Sequence, residues 1–260
     1  MNALNIVKIG GNIIDNPEAL SGFIKDFAEM DGYKILVHGG GKEASRLTKD
    51  MGLIPQMIDG RRVTDESTIK IVTMVYAGLI NKRIISGLQA AGCNSIGLTG
   101  ADGNSIVASK RSPIPVDYGL VGDINPDNIN QDFIQALLRQ GITPVFCAIM
   151  HDAKGSLLNC NADSVASAIA CAMSCRYDKT VLTYCFEQPG VMRDINNADS
   201  VIPHINESDF ENLRKQGIIN HGMIPKIENA LNAVNSGKVS KVIIKHAKDL
   251  LNNIGTVISQ

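Results

Sequence analysis

The stretch KILVHGGGKEASRLTKDM, residues 34–51, decides the fold. Its first five residues form a strand-like run, apolar at Ile35-Leu36-Val37, that stops at Gly39-Gly40-Gly41, and from Lys42 onward apolar positions recur at three- and four-residue spacing. A short strand that turns on small residues into an amphipathic helix is one β-α unit. The same unit recurs on both sides of this stretch. Strand-like runs lie at 5–9, 34–38, 95–99, 143–148, 179–183, 241–245 and 256–259, and helical patterns at 17–30, 42–51, 66–90, 130–140, 162–173, 207–215, 224–236 and 246–252. This alternation predicts the α/β class with a buried parallel sheet. Two stretches, 57–63 and 106–122, rich in turn-forming and basic residues, interrupt it and read as hairpins or loops laid over the sheet edge.

A chain of 260 residues buries roughly three quarters of its unfolded surface, so its core needs neither disulfides nor a structural metal. Lys and Arg total 25 against 26 Asp and Glu, which gives the surface no dominant sign and argues against a nucleic-acid partner. No apolar run approaches the roughly 20 residues of a membrane helix, and no charged leader precedes the first strand. The expectation is a cytoplasmic protein with no membrane partner. Cys93, Cys147, Cys160, Cys171, Cys175 and Cys185 include no C-x-x-C pair and read as buried, reduced thiols. Cys171 and Cys175 stand one helical turn apart, but no histidine pair completes a zinc site. If the chain has two lobes, their seam follows the 162–175 helix, dividing 1–175 from 176–260.

Several clusters point to phosphate chemistry. His38-Gly39-Gly40-Gly41 would aim backbone N–H groups and the positive end of a helix at one point, an anion site. Gly39, Gly41 and Ala44 also satisfy a dinucleotide-binding pattern with Asp59 downstream, yet Asp59 lies in a turn-like segment and the glycines follow the second strand, not the first. A Walker A loop fails because Glu43 stands where Ser or Thr is needed. Lys8, near the carboxyl end of the first strand and followed by Gly10-Gly11, reads equally as a snorkelling strand-end lysine and as a cation in the crevice above the sheet. Asn159-Cys160-Asn161-Ala162-Asp163 precedes a small-residue helix and reads on its own as an N-cap. Lys226, just after Pro225 at another helix start, opposes the helix dipole unless an anion is near.

In order and spacing, these words resemble the amino acid kinase family, in particular the branch that acts on acylated glutamate, along nearly the whole chain. The words are Lys8-Ile9-Gly10-Gly11, Val37-His38-Gly39-Gly40-Gly41, Gly60-Arg61-Arg62-Val63-Thr64, Asn159 to Asp163, Gly222-Met223-Ile224-Pro225-Lys226 and Gly255-Thr256. The resemblance implies a three-layer αβα sandwich around an open, mostly parallel sheet, with residues 1–175 holding the N-acylglutamate and 176–260 holding ATP. It implies ATP-dependent phosphorylation of the γ-carboxylate of N-acetyl-L-glutamate on the route to arginine. Lys8 and Lys226 would flank the transferring phosphoryl group, with Asp163 orienting both. Gly10 and Gly11 would approach the phosphates, and Gly40 and Gly41 the substrate carboxylate. Arg62 would hold the α-carboxylate and Asn159 the acyl amide. Magnesium would be held mainly through ATP phosphates, with no protein ligand assigned.

The chain departs from the family pattern in three places. Thr183-Tyr184-Cys185-Phe186-Glu187-Gln188-Pro189-Gly190 replaces a shorter, aspartate-bearing turn, so Tyr184 and Gly190 join Ile218, Ile219 and Asn220 as nucleotide contacts. Arg61 stands where relatives have an apolar residue; it reads as a solvated arginine or as a partner for the extra carboxylate of an N-succinyl substrate. The chain starts almost at its first strand, which predicts an arginine-insensitive homodimer, with Ile69, Val72, Met74, Val75 and Leu79 either on the interface face or in the core. A catalytically silent acylglutamate sensor is the non-enzyme alternative.

Overall fold

The computed structural model describes residues 2–194, 196–219 and 223–260. Its strands, in chain order, are β1 (Ala3–Ile9), β2 (Tyr33–His38), β3 (Met57–Ile58), β4 (Arg61–Arg62), β5 (Ser95–Leu98), β6 (Ile106–Lys110), β7 (Gly122–Ile129), β8 (Thr143–Cys147), β9 (Ile149–His151), β10 (Leu157–Asn159), β11 (Lys179–Phe186), β12 (His204–Ile205), β13 (Lys241–His246) and β14 (Thr256–Ile258). The helices are α1 (Gly11–Asp15), α2 (Pro17–Glu29), α3 (Gly41–Asp50), α4 (Glu66–Thr73), α5 (Asn81–Ala90), α6 (Gln131–Arg139), α7 (Ala162–Met173), α8 (Glu207–Lys215) and α9 (Ile224–Asn235), with a π-helical segment, Met74–Ile80, joining α4 to α5.

The main sheet runs β12-β14-β13-β11-β1-β2-β8-β5 and is parallel except where β14 pairs antiparallel with β13. Its central strands are near-continuous apolar runs because both faces are covered. Leu4, Ile6, Val37, Phe146 and Leu182 pack toward α6–α9 on one side, and Val7, Ile9, Leu36 and Val145 toward α2–α5 on the other. The result is the expected αβα sandwich. β1 lies between β2 and β11, in register Ile9 with His38 and Ile9 with Cys185, so the glycine turns after β1 and β2 open side by side. Strand order reverses at β1, and in open parallel sheets the crevice at such a point is where ligands bind. A second sheet, β10-β9-β6-β7, lies beside it. The 57–63 stretch is the β3–β4 hairpin, and 106–122 supplies β6 and the approach to β7; the β9–β10 hairpin was not expected.

Several expectations are corrected. The 246–252 stretch is no helix beyond a single 3-10 turn, Ala247–Asp249. Lys245, buried at the end of β13, donates its ammonium to the carbonyls of Asp249, at 2.7 Å, Leu250 and Asn252, which occupies acceptors that a continuing helix would use. Glu66–Ala90 is one 25-residue helix, long and apolar enough to cross a membrane by length and composition, but Ile69, Val72, Tyr76, Ile80, Ile84 and Leu88 bind it into the core. Of its proposed interface residues, Ile69, Val72 and Val75 are core, while Met74 and Leu79 are exposed. β11 continues three residues beyond the expected 183, through Phe186, so Tyr184, Cys185 and Phe186 lengthen a strand and not a loop. All six cysteines are free, but Cys175 is exposed and Cys171 only partly buried.

Thr256 shows why the closing motif matters. Its fully buried Oγ1 accepts from the Val191 amide at 2.8 Å and donates to the Ile202 carbonyl at 2.7 Å, tying β14 to two loops. Each buried backbone group left without a partner costs about 1–3 kcal/mol. Thr256→Val, which keeps the shape and strands both groups, is expected to lower urea-unfolding stability by about 2–4 kcal/mol.

Candidate functional site

Lys8 projects from the end of β1 and Asp163 from the first turn of α7, and their charged atoms lie 2.7 Å apart, each side chain only 14% exposed. Capping does not occupy Asp163: Asn161 Oδ1 accepts the Asp163 and Ser164 amides at 2.8 and 3.1 Å. The N-cap reading therefore belongs to Asn161, which leaves the Asp163 carboxylate to the lysine. Beneath them, Tyr184 donates its hydroxyl to the Asp163 carbonyl at 3.3 Å. Burial, together with the Asp163 carboxylate, raises the Tyr184 phenol well above its usual range. Tyr184 is thus a buried support for α7, and it also borders the cavity that Gly10, Gly11 and Lys226 line.

The glycine turn after β2 packs tightly. A Cβ at Gly40 would lie 2.3 Å from Ile80 and 3.0 Å from Tyr76. No side chain caps α3 at Gly40, so the first N–H groups of this helix stay open to a ligand. Arg62, on β4, is buried and donates through Nη2 to the Gly41 carbonyl at 2.8 Å and to Ser45 Oγ at 2.6 Å. Its other terminal nitrogen, Nη1, is buried without a hydrogen-bond partner. A buried, half-satisfied guanidinium is costly unless an anion completes it. Asn159, at the end of β10, donates through Nδ2 to Thr64 Oγ1 at 3.1 Å, which links it to the Arg62 strand. Arg61 is exposed on the β3–β4 hairpin and borders the same cavity.

Two cavities meet at these residues. One, of about 250 Å³, is lined by Lys8, Gly40, Gly41, Arg62, Asn159 and Asp163, among others. The other, of about 340 Å³, is lined by Gly10, Gly11, Phe186 and Lys226, again with Lys8 and Asp163. Lys8, Gly11, Gly41 and Asp163 border both, and so form a common wall. Lys226 lies over the Phe186 ring, 5.1 Å from its centroid, and not within ion-pair distance of Asp163. Gly190, Ile218 and Ile219 gather in a separate cavity of about 290 Å³ with Met192, Arg193 and Asp194. Asn220 and Gly222 lie outside the described residues.

Two features escaped the sequence reading. Arg111 and Asp123 form an ion pair across the β6–β7 hairpin at the rim of the first cavity. Asn81 is buried within the long helix and donates to His38. The signal for Asn81 was its place three residues before Ile84 and seven before Leu88, on an otherwise apolar stripe. Burial holds the His38 imidazole down to a pKa of about 4.

Known proteins resemble this chain over nearly its whole length. The profile described as the amino acid kinase family matches residues 3–246. The acetylglutamate kinase of Cytophaga hutchinsonii is 53% identical, with 96% of this chain and 94% of that protein covered. That of Phocaeicola vulgatus is 50% identical, with 99% and 98% covered. The crystal structure of smu.665 from Streptococcus mutans superposes with a TM-score of 0.80 at 27% identity, covering 100% of this chain and 99% of that one.

An unfolded histidine takes up its proton near pH 6.5, whereas His38 resists protonation down to about 4. Between those values the unfolded state binds the extra proton, so stability falls as pH falls. The contribution of His38 between pH 7 and pH 4 is about 3 kcal/mol. Urea midpoints across this range should fall more steeply for the natural chain than for His38→Gln; parallel curves would remove this assignment.

Proposed function

The chain belongs to the amino acid kinase family, and on that premise we propose that it transfers the terminal phosphoryl group of ATP to the γ-carboxylate of N-acetyl-L-glutamate, giving N-acetyl-L-glutamyl 5-phosphate and ADP. The observation that carries this reading is the common wall of Lys8, Gly11, Gly41 and Asp163 between an arginine-lined and a lysine-lined cavity. In this reading the acyl amino acid occupies the first cavity, within residues 1–175. The Arg62 Nη1 and the Asn159 amide supply the donors for its α-carboxylate and acyl group. ATP phosphates occupy the second cavity, with the rest of the nucleotide toward Gly190, Ile218 and Ile219 in the 176–260 half.

The attacking carboxylate is already ionised near neutral pH, so the reaction needs no general base. A γ-carboxylate oxygen bonds to the terminal phosphorus as the bond to the ADP oxygen breaks, and the loose transition state spreads charge over the phosphoryl oxygens. Lys8, held in place by Asp163, and Lys226 supply the countercharge, and the glycine N–H groups supply donors close enough to follow it. A magnesium ion, held in this reading mainly by nucleotide phosphates and water, would supply charge neutralisation when bound. The reading places the protein in the cytoplasm, in arginine biosynthesis, as a homodimer with exposed Met74 and Leu79 as contact candidates.

The test is magnesium-dependent ADP release with N-acetyl-L-glutamate and, separately, with N-succinyl-L-glutamate. Release that depends on the acetyl compound supports the reading, whereas preference for the succinyl compound or no release with either overturns it. Lys8→Ala should lower kcat by about two orders of magnitude or more. Arg62→Lys, which loses the planar fork, should raise KM for the acyl substrate about ten-fold or more with little change for ATP.

A further inference from the structure

Asn81 and His38 are both almost completely buried, and neither touches the cavities described above. Asn81 Nδ2 lies 3.0 Å from the Val145 carbonyl oxygen and 3.1 Å from His38 Nε2. His38 Nδ1 lies 2.8 Å from the carbonyl oxygen of Gly39. Carbonyl oxygens only accept. The Val145 carbonyl therefore fixes which end of the Asn81 amide is nitrogen, and Lys82 Nζ, 3.2 Å from Oδ1, agrees. In the same way the Gly39 carbonyl requires the proton on His38 Nδ1, so that Nε2 presents a lone pair to the Asn81 N–H. The histidine tautomer is set from both ends.

The surroundings are shaped for this contact. The π-helical segment Met74–Ile80 ends immediately before Asn81 and sets its angular position on the helix. Across from it, a Cβ at Gly97 would sit 1.7 Å from Asn81 Oδ1, so β5 leaves room for the amide and for nothing larger. A trans peptide points its C=O and N–H to opposite sides. Holding the Gly39 carbonyl on the imidazole therefore turns the Gly40 N–H to the other side of the turn.

We propose that Asn81 and His38 act as a positioning pair that fixes the Gly39–Gly40 peptide and so aims the turn's N–H groups at the acidic substrate. The proposal rests on the kinase reading only for the identity of that anion. The pair acts through the glycine turn and touches no substrate itself.

Nitrogen-15 NMR of histidine-labelled whole protein reads the tautomer directly. At pH 7, with and without N-acetyl-L-glutamate, His38 is expected to carry its proton on Nδ1; a ring protonated on Nε2 instead overturns the proposal. This measurement needs no turnover, so it separates failure of the pair from failure of the kinase reading, which ADP release by the natural chain decides. Asn81→Asp keeps the shape, removes the donor and favours a proton on Nε2. In that variant KM for N-acetyl-L-glutamate is expected to rise about ten-fold or more, with KM for ATP within about two-fold. A relocated proton with unchanged KM, or equal changes in both KM values, would overturn the proposal, and if the variant does not fold the tautomer in the natural chain still decides.

Discussion

The ion pair between Lys8 and Asp163 is the contact on which the site's geometry depends. It joins the end of the central strand to the first turn of the helix behind it, at the point where the strand order reverses. Partial burial makes the two charges expensive to remove from water, so the pair is a weak source of stability. Its value is placement. A lysine on β1 alone would sweep the crevice; with the carboxylate fixed by α7, and α7 held from below by Tyr184, the ammonium is kept on the wall between the two cavities.

The second lysine is arranged differently. Lys226 sits in the first turn of α9, where the helix dipole disfavours a cation, and its charge lies over the face of Phe186. A ring within about 6 Å attracts a cation while leaving its hydrogen-bond donors open. Phe186 occupies this place because β11 runs to residue 186. The first part of the altered segment, through Phe186, is thus a strand end carrying an aromatic platform.

The sheet and nearly all its helices were legible because buried parallel strands are continuous apolar runs and the turns between them need glycine. Lys8, Arg62, Asn159 and Asp163 were legible through family words, and they do converge. Other features depended on partners far along the chain. Nothing near residue 250 announces that Lys245 will take up its carbonyls, and nothing near residue 184 says that a tyrosine at a strand end will face α7 and not the solvent side. Asn81 was hidden for the opposite reason: an asparagine in an amphipathic helix is ordinarily read as surface, and only its phase relative to Ile84 and Leu88 places it inside.

The contact between Gly97 and Asn81 also bears on how the sequence can drift. Because a Cβ at 97 and the amide oxygen at 81 cannot share the same space, the two positions do not vary independently. A larger residue at 97 becomes tolerable only after 81 has shrunk, and a smaller residue at 81 leaves His38 without its donor. The order of substitution is thereby constrained: the strand glycine cannot change first. Two residues sixteen apart in sequence, on a helix and on the strand that follows it, behave as one unit of variation.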